Sequence, residues 1–312
     1  MTHALLRALV SRGHAADVVL SAADGDPYEV DGVRVWPRTG KADPFRFVDD
    51  SDVIVAHVES ASRPLALGDI RGIPVVQIAH NAGAFTESAL RKRPAALTVF
   101  NSGHVADRLG ELCVRSIVVR PPVQLNDYRT TPGDAVTLVN LSEDKGAEVF
   151  YALAERFPGR QFLGVRGGYG VQITPHGPDD LPNVDIVDHV APHLMRDQVY
   201  ARTRVLLMPS AHESWGRVGA EAMCSGIPVI AHPTPGLRES LGAAGTFCDR
   251  EDVDAWAVAL RKLLDGRSWR PASRKALARA AELDPAADLD RWCSEVEALA
   301  RRRLRVRARV PS

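Results

Sequence analysis

A chain of 312 residues with 45% apolar and 25% charged side chains exceeds the size at which a single core keeps growing, so two soluble domains are expected. Lys plus Arg and Asp plus Glu both total 39, a balance that argues against a dedicated nucleic-acid binder. Cys113, Cys224, Cys248 and Cys293 show neither metal-ligand nor CxxC spacing, and neither a membrane-length apolar run nor a signal-peptide pattern is found, so a cytoplasmic location is expected.

The first element, "THALLRALVSRG", reads as a helix closed by Gly13. Short β-branched runs follow, "ADVVLS", "VRVWP", "DVIVAHV", "IPVVQIAH", "LTVFNS" and "SIVVRPP", with helical periodicity between several of them. Residues 120–134, "RPPVQLNDYRTTPGD", lack either periodicity and read as a hinge. A second alternation has strands at "AVTLVN", "QFLGV", "VDIVDH", "RVLLMPS", "IPVIAH" and "GTFC", and "GAEVFYALAERFP" shows the clearest apolar stripe of the helices. Residues 251–304 read as helical, broken at Pro271 and Pro285. The class is α/β, two consecutive parallel-sheet domains, and ligands are expected just beyond the carboxyl ends of strands. His57, His80, Ser102, Arg166, Glu213 and Glu239 all fall at or beyond such ends.

Six arginines lie in "RRRLRVRARV" at residues 301–310; removing them from the 39 basic residues leaves 33 against 39 acidic. This tail reads either as a solvated terminus or as a weak peripheral contact with an anionic membrane.

The stretch "PSAHESWGRVGAEAMCSGIPVIAHPTPGLRES" at residues 209–240 sets Glu213 in a turn and Glu221 about one turn into a helix, among Gly219, Ala220, Ala222 and Met223. A carboxylate in such a setting needs a hydrogen-bonding partner to offset several kcal/mol of desolvation, and a hydroxyl-rich ligand is one candidate. A helix start near Gly216 suits a phosphate. Two carboxylates straddling an anion site suggest a nucleotide sugar; the alternative places Glu221 on the solvent face and Glu213 in a surface loop.

The same stretch closely resembles the donor-site signature of the retaining family 4 glycosyltransferases, roughly P-S-x-x-E-x-[FW]-G-x-x-x-x-E-A-M-x-x-G-x-P-V followed by G-x-x-E. "DVIVAH", "GIPVVQIAHN", "FNS", "VRPPV" and "EDKG" agree with that family in order. The resemblance implies a GT-B fold, two Rossmann-like domains facing across a cleft: 1–122 on the acceptor side, a linker at 123–134, a nucleotide-sugar-binding domain at 135–285, and a crossover helix with basic tail at 286–312. It implies a retaining, hexosyltransferase-like and metal-independent enzyme that moves a sugar from a UDP- or GDP-sugar to an acceptor hydroxyl, with no cofactor. A non-catalytic or degenerate nucleotide-sugar-binding protein is the alternative. By the resemblance, Glu221 binds the donor ribose, Glu213 contacts hydroxyls of the transferred sugar, the backbone of Trp215, Gly216 and Arg217 lines the sugar and diphosphate, Lys145 neutralises the diphosphate, and His80 lies near the sugar. Ser102 and Glu239 are further donor-site candidates, Glu239 alternatively as a loop stabiliser. In this family catalysis is attributed to front-face attack, so Glu213 is not assigned as a nucleophile, and domain closure across residues 120–134 is expected.

Two departures stand out. The family arginine five residues before the lysine is here Asn140, and an amide replaces neither the charge nor the fork of a guanidinium. Arg166, in "GVRGGYG", is the candidate to restore that charge, against a plain solvent-exposed arginine. The family also begins with a strand and a glycine-rich loop ahead of a helix like "THALLRALVSRG"; without that strand its neighbours are expected to keep unpaired backbone edges. His57 faces the acceptor or is satisfied by backbone, and His104, His176, His189 and His193 form no metal set. Trp292 is read as a packing residue of the last helix. No G-x-G-x-x-G follows a first strand, which disfavours a dinucleotide-dependent oxidoreductase.

Overall fold

The computed structural model describes residues 1–20, 24–37, 48, 50–174 and 181–307, so His176 and Arg309 of the basic tail lie outside the described residues. The chain divides into two compact units, one formed by Met1–Pro122 with the segment from Pro285 onward, the other by Val123–Asp284.

In the first unit, α1 (Thr2–Val10) buries Leu5, Leu6 and Leu9 on one face. Gly13, at φ 87°, closes the turn that follows it. β1 (Ala16–Leu20), β2 (Tyr28–Val30) and β3 (Val33–Pro37) form a sheet in the order β1-β3-β2. β2 is antiparallel to β3 and was not foreseen, because its three residues are all exposed and offer no apolar run. What marks the hairpin is Asp31-Gly32, left-handed at both positions (φ 51° and 76°), the signature of a tight two-residue turn.

β4 (Ile54–His57), α2 (Ser62–Arg71), β5 (Val75–Ala79), α3 (Ala84–Lys92), β6 (Leu97–Phe100), α4 (Gly103–Leu109) and β7 (Ser116–Val118) follow, with β4-β5-β6-β7 all parallel. β5 and β6 are buried throughout, as parallel strands covered on both faces must be. Among the described residues β1 and β4 each pair with one neighbour only, yet Val18 of β1 and Val55 of β4 pack on the same core as Leu5, Ile78 and Val99.

The second unit contains α5 (Leu125–Tyr128), β8 (Ala135–Val139), α6 (Ala147–Arg156), β9 (Phe162–Val165), β10 (Val184–Val187), α7 (Met195–Gln198), β11 (Thr203–Met208), α8 (Arg217–Met223), β12 (Val229–Ala231), α9 (Pro235–Leu241), β13 (Thr246–Phe247), α10 (Val253–Leu264) and α11 (Gly266–Glu282). Its six strands are parallel, in the order β10-β9-β8-β11-β12-β13. From β8 the chain winds one way and from β11 the other, so the topological switch point lies between β8 and β11. Residues 123–134, read as a hinge, pack into this unit: Tyr128 is buried, and Ser225 Oγ bonds both Tyr128 O (2.7 Å) and Thr130 N (2.9 Å).

β8 and β11 are joined inside the core by Thr137 Oγ1 and Thr203 Oγ1 at 2.8 Å, with Thr203 donating onward to Val199 O. Thr137→Val keeps the shape and removes one buried hydrogen bond, so unfolding in urea is expected to show a loss of about 1 kcal/mol. An unchanged midpoint would mean that this bond adds nothing to the sheet.

Pro271 does not break the helix as expected; it sits inside α11, where only the carbonyl of Arg267 loses its intrahelical partner. Pro285 does separate α11 from α12 (Ala286–Arg307), which belongs to the first unit. Trp292 of α12 is fully buried and donates from Nε1 to Leu5 O at 2.9 Å, and Arg120 Nε donates to Asp288 at 2.7 Å. Arg303, counted within the basic tail, is buried in α12 and therefore unavailable to a membrane surface. No helix among the described residues is long and apolar enough to cross a membrane.

Candidate functional site

Two loops leave the switch point of the second unit, where open α/β sheets bind ligands. The loop after β8 carries Lys145 and the loop after β11 carries Glu213. Lys145 Nζ lies 2.6 Å from Glu213 Oε1, with side chains 16% and 19% exposed. Burial alone would lower the lysine, but the Glu213 carboxylate more than offsets this and holds the ammonium above its ordinary value. Asp144 lies 3.5 Å from Lys145 and 3.1 Å from His212. The turn is fixed from below: Thr234 caps α9, accepting from Leu237 N at 3.2 Å, and its hydroxyl contacts Glu213 O at 3.4 Å. Gly236 approaches so closely that a Cβ there would meet Glu213 O at 2.4 Å.

Gly216, at φ 77°, turns the chain into α8, and an added Cβ would lie 2.3 Å from Leu237 Cδ2. Trp215 beside it is buried, and its indole Nε1 has no partner among the described residues. Glu221 is also buried, which answers its presence amid small residues in a way the sequence did not indicate. Tyr200 OH donates to Glu221 Oε2 at 2.6 Å, Arg217 Nε lies 2.7 Å from Glu221 Oε1, and Arg217 Nη2 donates to Tyr128 OH at 2.6 Å. The carboxylate thus finds its partners within the protein. Burial nonetheless dominates and raises its pKa above the ordinary value, with Arg217 and Tyr200 acting against the shift. Burial, with the Glu221 charge, pushes the Tyr128 phenol up to about 12. Tyr200 and Tyr128 carried no motif, so only the fold reveals them.

Asn140 follows β8 in a left-handed conformation (φ 72°) and is buried. Gln172, also unforeseen, ties the glycine-rich loop to it: Oε1 accepts from Leu141 N (2.9 Å) and Gly167 N (2.7 Å), while Nε2 donates to Asn140 Oδ1 (3.0 Å). Arg166, the candidate to restore the missing guanidinium beside Lys145, is engaged elsewhere in the structure. Its partner is Asp188, at 3.1 Å on an exposed surface, because the turn after β9 directs it toward the end of β10. The carbonyl oxygen of Glu239 accepts from Arg279 Nη2 at 2.7 Å.

In the first unit, Ser102 was expected near the donor. It is fully buried and caps α4, its Oγ accepting from Val105 N at 3.3 Å, so its hydroxyl is engaged in the fold. His80 follows β5 and His57 ends β4, with His80 Nε2 2.6 Å from His57 Nδ1. Burial lowers both imidazoles, and for His80 burial together with the neighbouring His57 takes the value down to about 4.

Residues 183–284 match the family model described as Glycosyl transferases group 1. A D-inositol 3-phosphate glycosyltransferase of Mycobacterium marinum is 28% identical over 238 residues, covering 62% of this chain and 51% of that protein. The chain spans about half the length of this relative and less of some others. Sucrose-phosphate synthase from Thermosynechococcus elongatus shares the fold with a TM-score of 0.76 at 16% identity, over 98% of this chain and 93% of that one. HepE from Anabaena, solved in complex with UDP-glucose, follows at 0.72 and 18%, with 95% of each chain covered. The signature at residues 209–240, the doubly wound sheet behind it and these likenesses agree: the chain has the GT-B fold, and its residues 183–284 match the Glycosyl transferases group 1 domain.

Proposed function

We propose that this protein is a retaining, metal-independent glycosyltransferase that moves a sugar from a UDP- or GDP-linked donor to an acceptor hydroxyl. The observation that carries the reading is the Lys145–Glu213 pair at the switch point of the second unit, 2.6 Å apart. Without a ligand the two charges satisfy each other. A diphosphate arriving there offers the ammonium a stronger, doubly anionic partner, and the exchange releases Glu213 to accept hydrogen bonds from sugar hydroxyls. The lysine then stabilises the charge that builds on the departing nucleoside diphosphate, the step at which preorganised cations are most effective. Trp215 Nε1, buried and without a partner among the described residues, is a donor that a ligand oxygen can satisfy.

Glu221 reads the donor ribose in this proposal, and the structure defines what that requires. Tyr200 is fully buried and holds one oxygen. The Arg217 side chain is 38% exposed and is the partner able to swing aside for a ribose hydroxyl. A non-catalytic nucleotide-sugar-binding protein is the second reading. It is favoured by Asn140 at the family arginine position and by Arg166 turned toward Asp188.

HepE makes UDP-glucose the first donor to try, and the name of the M. marinum relative makes D-inositol 3-phosphate the first acceptor. Calorimetry with UDP-glucose, followed by an assay for free UDP with and without that acceptor and a panel of sugar alcohols, separates the readings. Acceptor-dependent UDP release supports the transferase. Binding heat with no release for any acceptor, with GDP-sugars also tried, supports the binding protein, and no heat with any nucleotide sugar overturns both.

A further inference from the structure

His57 at the end of β4 and His80 after β5 belong to a longer chain of contacts in the first unit. Thr2 Oγ1, at the start of α1, lies 2.7 Å from His57 Nε2, and His57 Nδ1 lies 2.6 Å from His80 Nε2, with ring centroids 4.5 Å apart and tilted by 36°. The backbone beneath is anchored by Asn101 Nδ2, which donates to His80 O at 2.8 Å. Two ring nitrogens at hydrogen-bond distance share one proton: both cannot bring an N–H, nor both a lone pair. Which ring supplies it follows from the far end. Among the described residues the Thr2 hydroxyl has His57 Nε2 as its one partner, and only donation to that nitrogen gives its hydrogen an acceptor in the protein. His57 Nε2 then accepts, His57 Nδ1–H donates, and His80 Nε2 accepts. The proton of neutral His80 is left on Nδ1, which has no partner among the described residues.

We infer that His57 is a positioning residue that holds His80 as its Nδ1–H tautomer, so that His80 meets its ligand as a neutral hydrogen-bond donor to an oxygen and not as a base. The charged groups facing the pair are the Glu59 carboxylate on the turn after β4 and the α-amino group of Met1. Burial outweighs the pull of Glu59, so both rings are neutral near pH 7. Naming a hydroxyl of the transferred sugar as the ligand rests on the transferase reading above, whereas the tautomer does not.

The test is long-range ¹H–¹⁵N NMR on the full chain labelled with ¹⁵N-histidine, without ligand, at about pH 7. His80 is expected to show a protonated Nδ1 and a bare Nε2, the less common form of free histidine. His57→Asn presents an amide N–H where Nδ1–H stood and keeps this form. His57→Asp presents only an acceptor, moves the proton to Nε2 and raises the His80 titration midpoint. Thr2→Val, a mild change at the end of a helix, loosens the preference and serves as control should His57→Asp fold poorly. In turnover with UDP-glucose, His57→Asn retains kcat while His57→Asp loses roughly tenfold or more and gains a new limb in its pH profile. A wild-type His80 protonated on Nε2 overturns the inference. The expected tautomers without sugar transfer by any form leave the positioning role standing and reject the sugar as the His80 ligand.

Discussion

Replacing Lys145 by methionine is expected to lower kcat with UDP-glucose by roughly 10²–10³-fold, the loss typical when one preorganised stabiliser of developing charge is removed. The expectation rests on where the ammonium is held. Lys145 is mostly buried, which taken alone favours its neutral form, yet Glu213 at 2.6 Å keeps it charged. Methionine preserves the unbranched stem and deletes only the charge. Lys145→Arg should rescue in part at best, since a planar fork does not replace a compact point charge against Glu213. Glu213→Gln is the informative partner. It frees Lys145 from its counter-charge, so UDP should bind as tightly as to wild type or tighter in calorimetry, whereas kcat should fall because the sugar loses a charged acceptor. Thermal melts of each variant separate these losses from unfolding. Wild-type kcat in the methionine variant would show that the pair is a structural ion pair and not part of the reaction.

The alternation of apolar runs with helical periodicity marked twelve strands and the parallel class, since a strand buried on both faces must be nearly all apolar. What it could not convey was anything dependent on a short or exposed element. Tyr28–Val30 pairs as β2 although none of its residues is buried, and Pro271 rides inside α11 with a single carbonyl left unbonded. The candidate site divides along the same line. Glu213 and Lys145 were legible because a dense motif fixes each on a strand-end loop, and the winding order then brings the two loops together. Partners set by packing were not: Tyr200 reaches Glu221 from a short turn before β11, Gln172 reaches Asn140 from a glycine-rich loop, and Ser102, identical in type to a ligand-binding serine, is used as a helix cap. Sequence spacing reports which end of a strand a residue occupies. It does not report whether the side chain finds its hydrogen bonds inside the fold.

Glu221→Ala is expected to destabilise the second unit by about 1–3 kcal/mol as well as to weaken binding of UDP-sugars, because it leaves a buried hydroxyl without its acceptor and removes the carboxylate from a half-buried ion pair. The Tyr200 hydroxyl, fully buried, would lose its acceptor, and Arg217 would keep its charge with only Tyr128 OH beside it. The more discriminating variant is Glu221→Gln, which still accepts from Tyr200 but cannot ionise. Burial raises the Glu221 carboxyl above its ordinary value of 4.5 in the folded chain, so the native state binds this proton more tightly than the unfolded state. The sign follows by linkage: the group's stabilising contribution is complete below 4.5 and is lost as pH rises through the elevated folded value. Denaturant midpoints measured across that window should therefore decline with pH more steeply for wild type than for Glu221→Gln. The opposite slope would mean that Arg217 and Tyr200 together outweigh desolvation and hold the carboxylate ionised. Calorimetry with UDP then reads the functional side. If Glu221 meets the ribose, Gln should weaken UDP binding while leaving kcat at saturating donor nearly unchanged, because an interaction made equally in ground and transition states affects only the former measurement. If UDP binds as well to Gln as to Glu, the carboxylate serves the fold through Tyr200 and Arg217, and the ribose is held elsewhere.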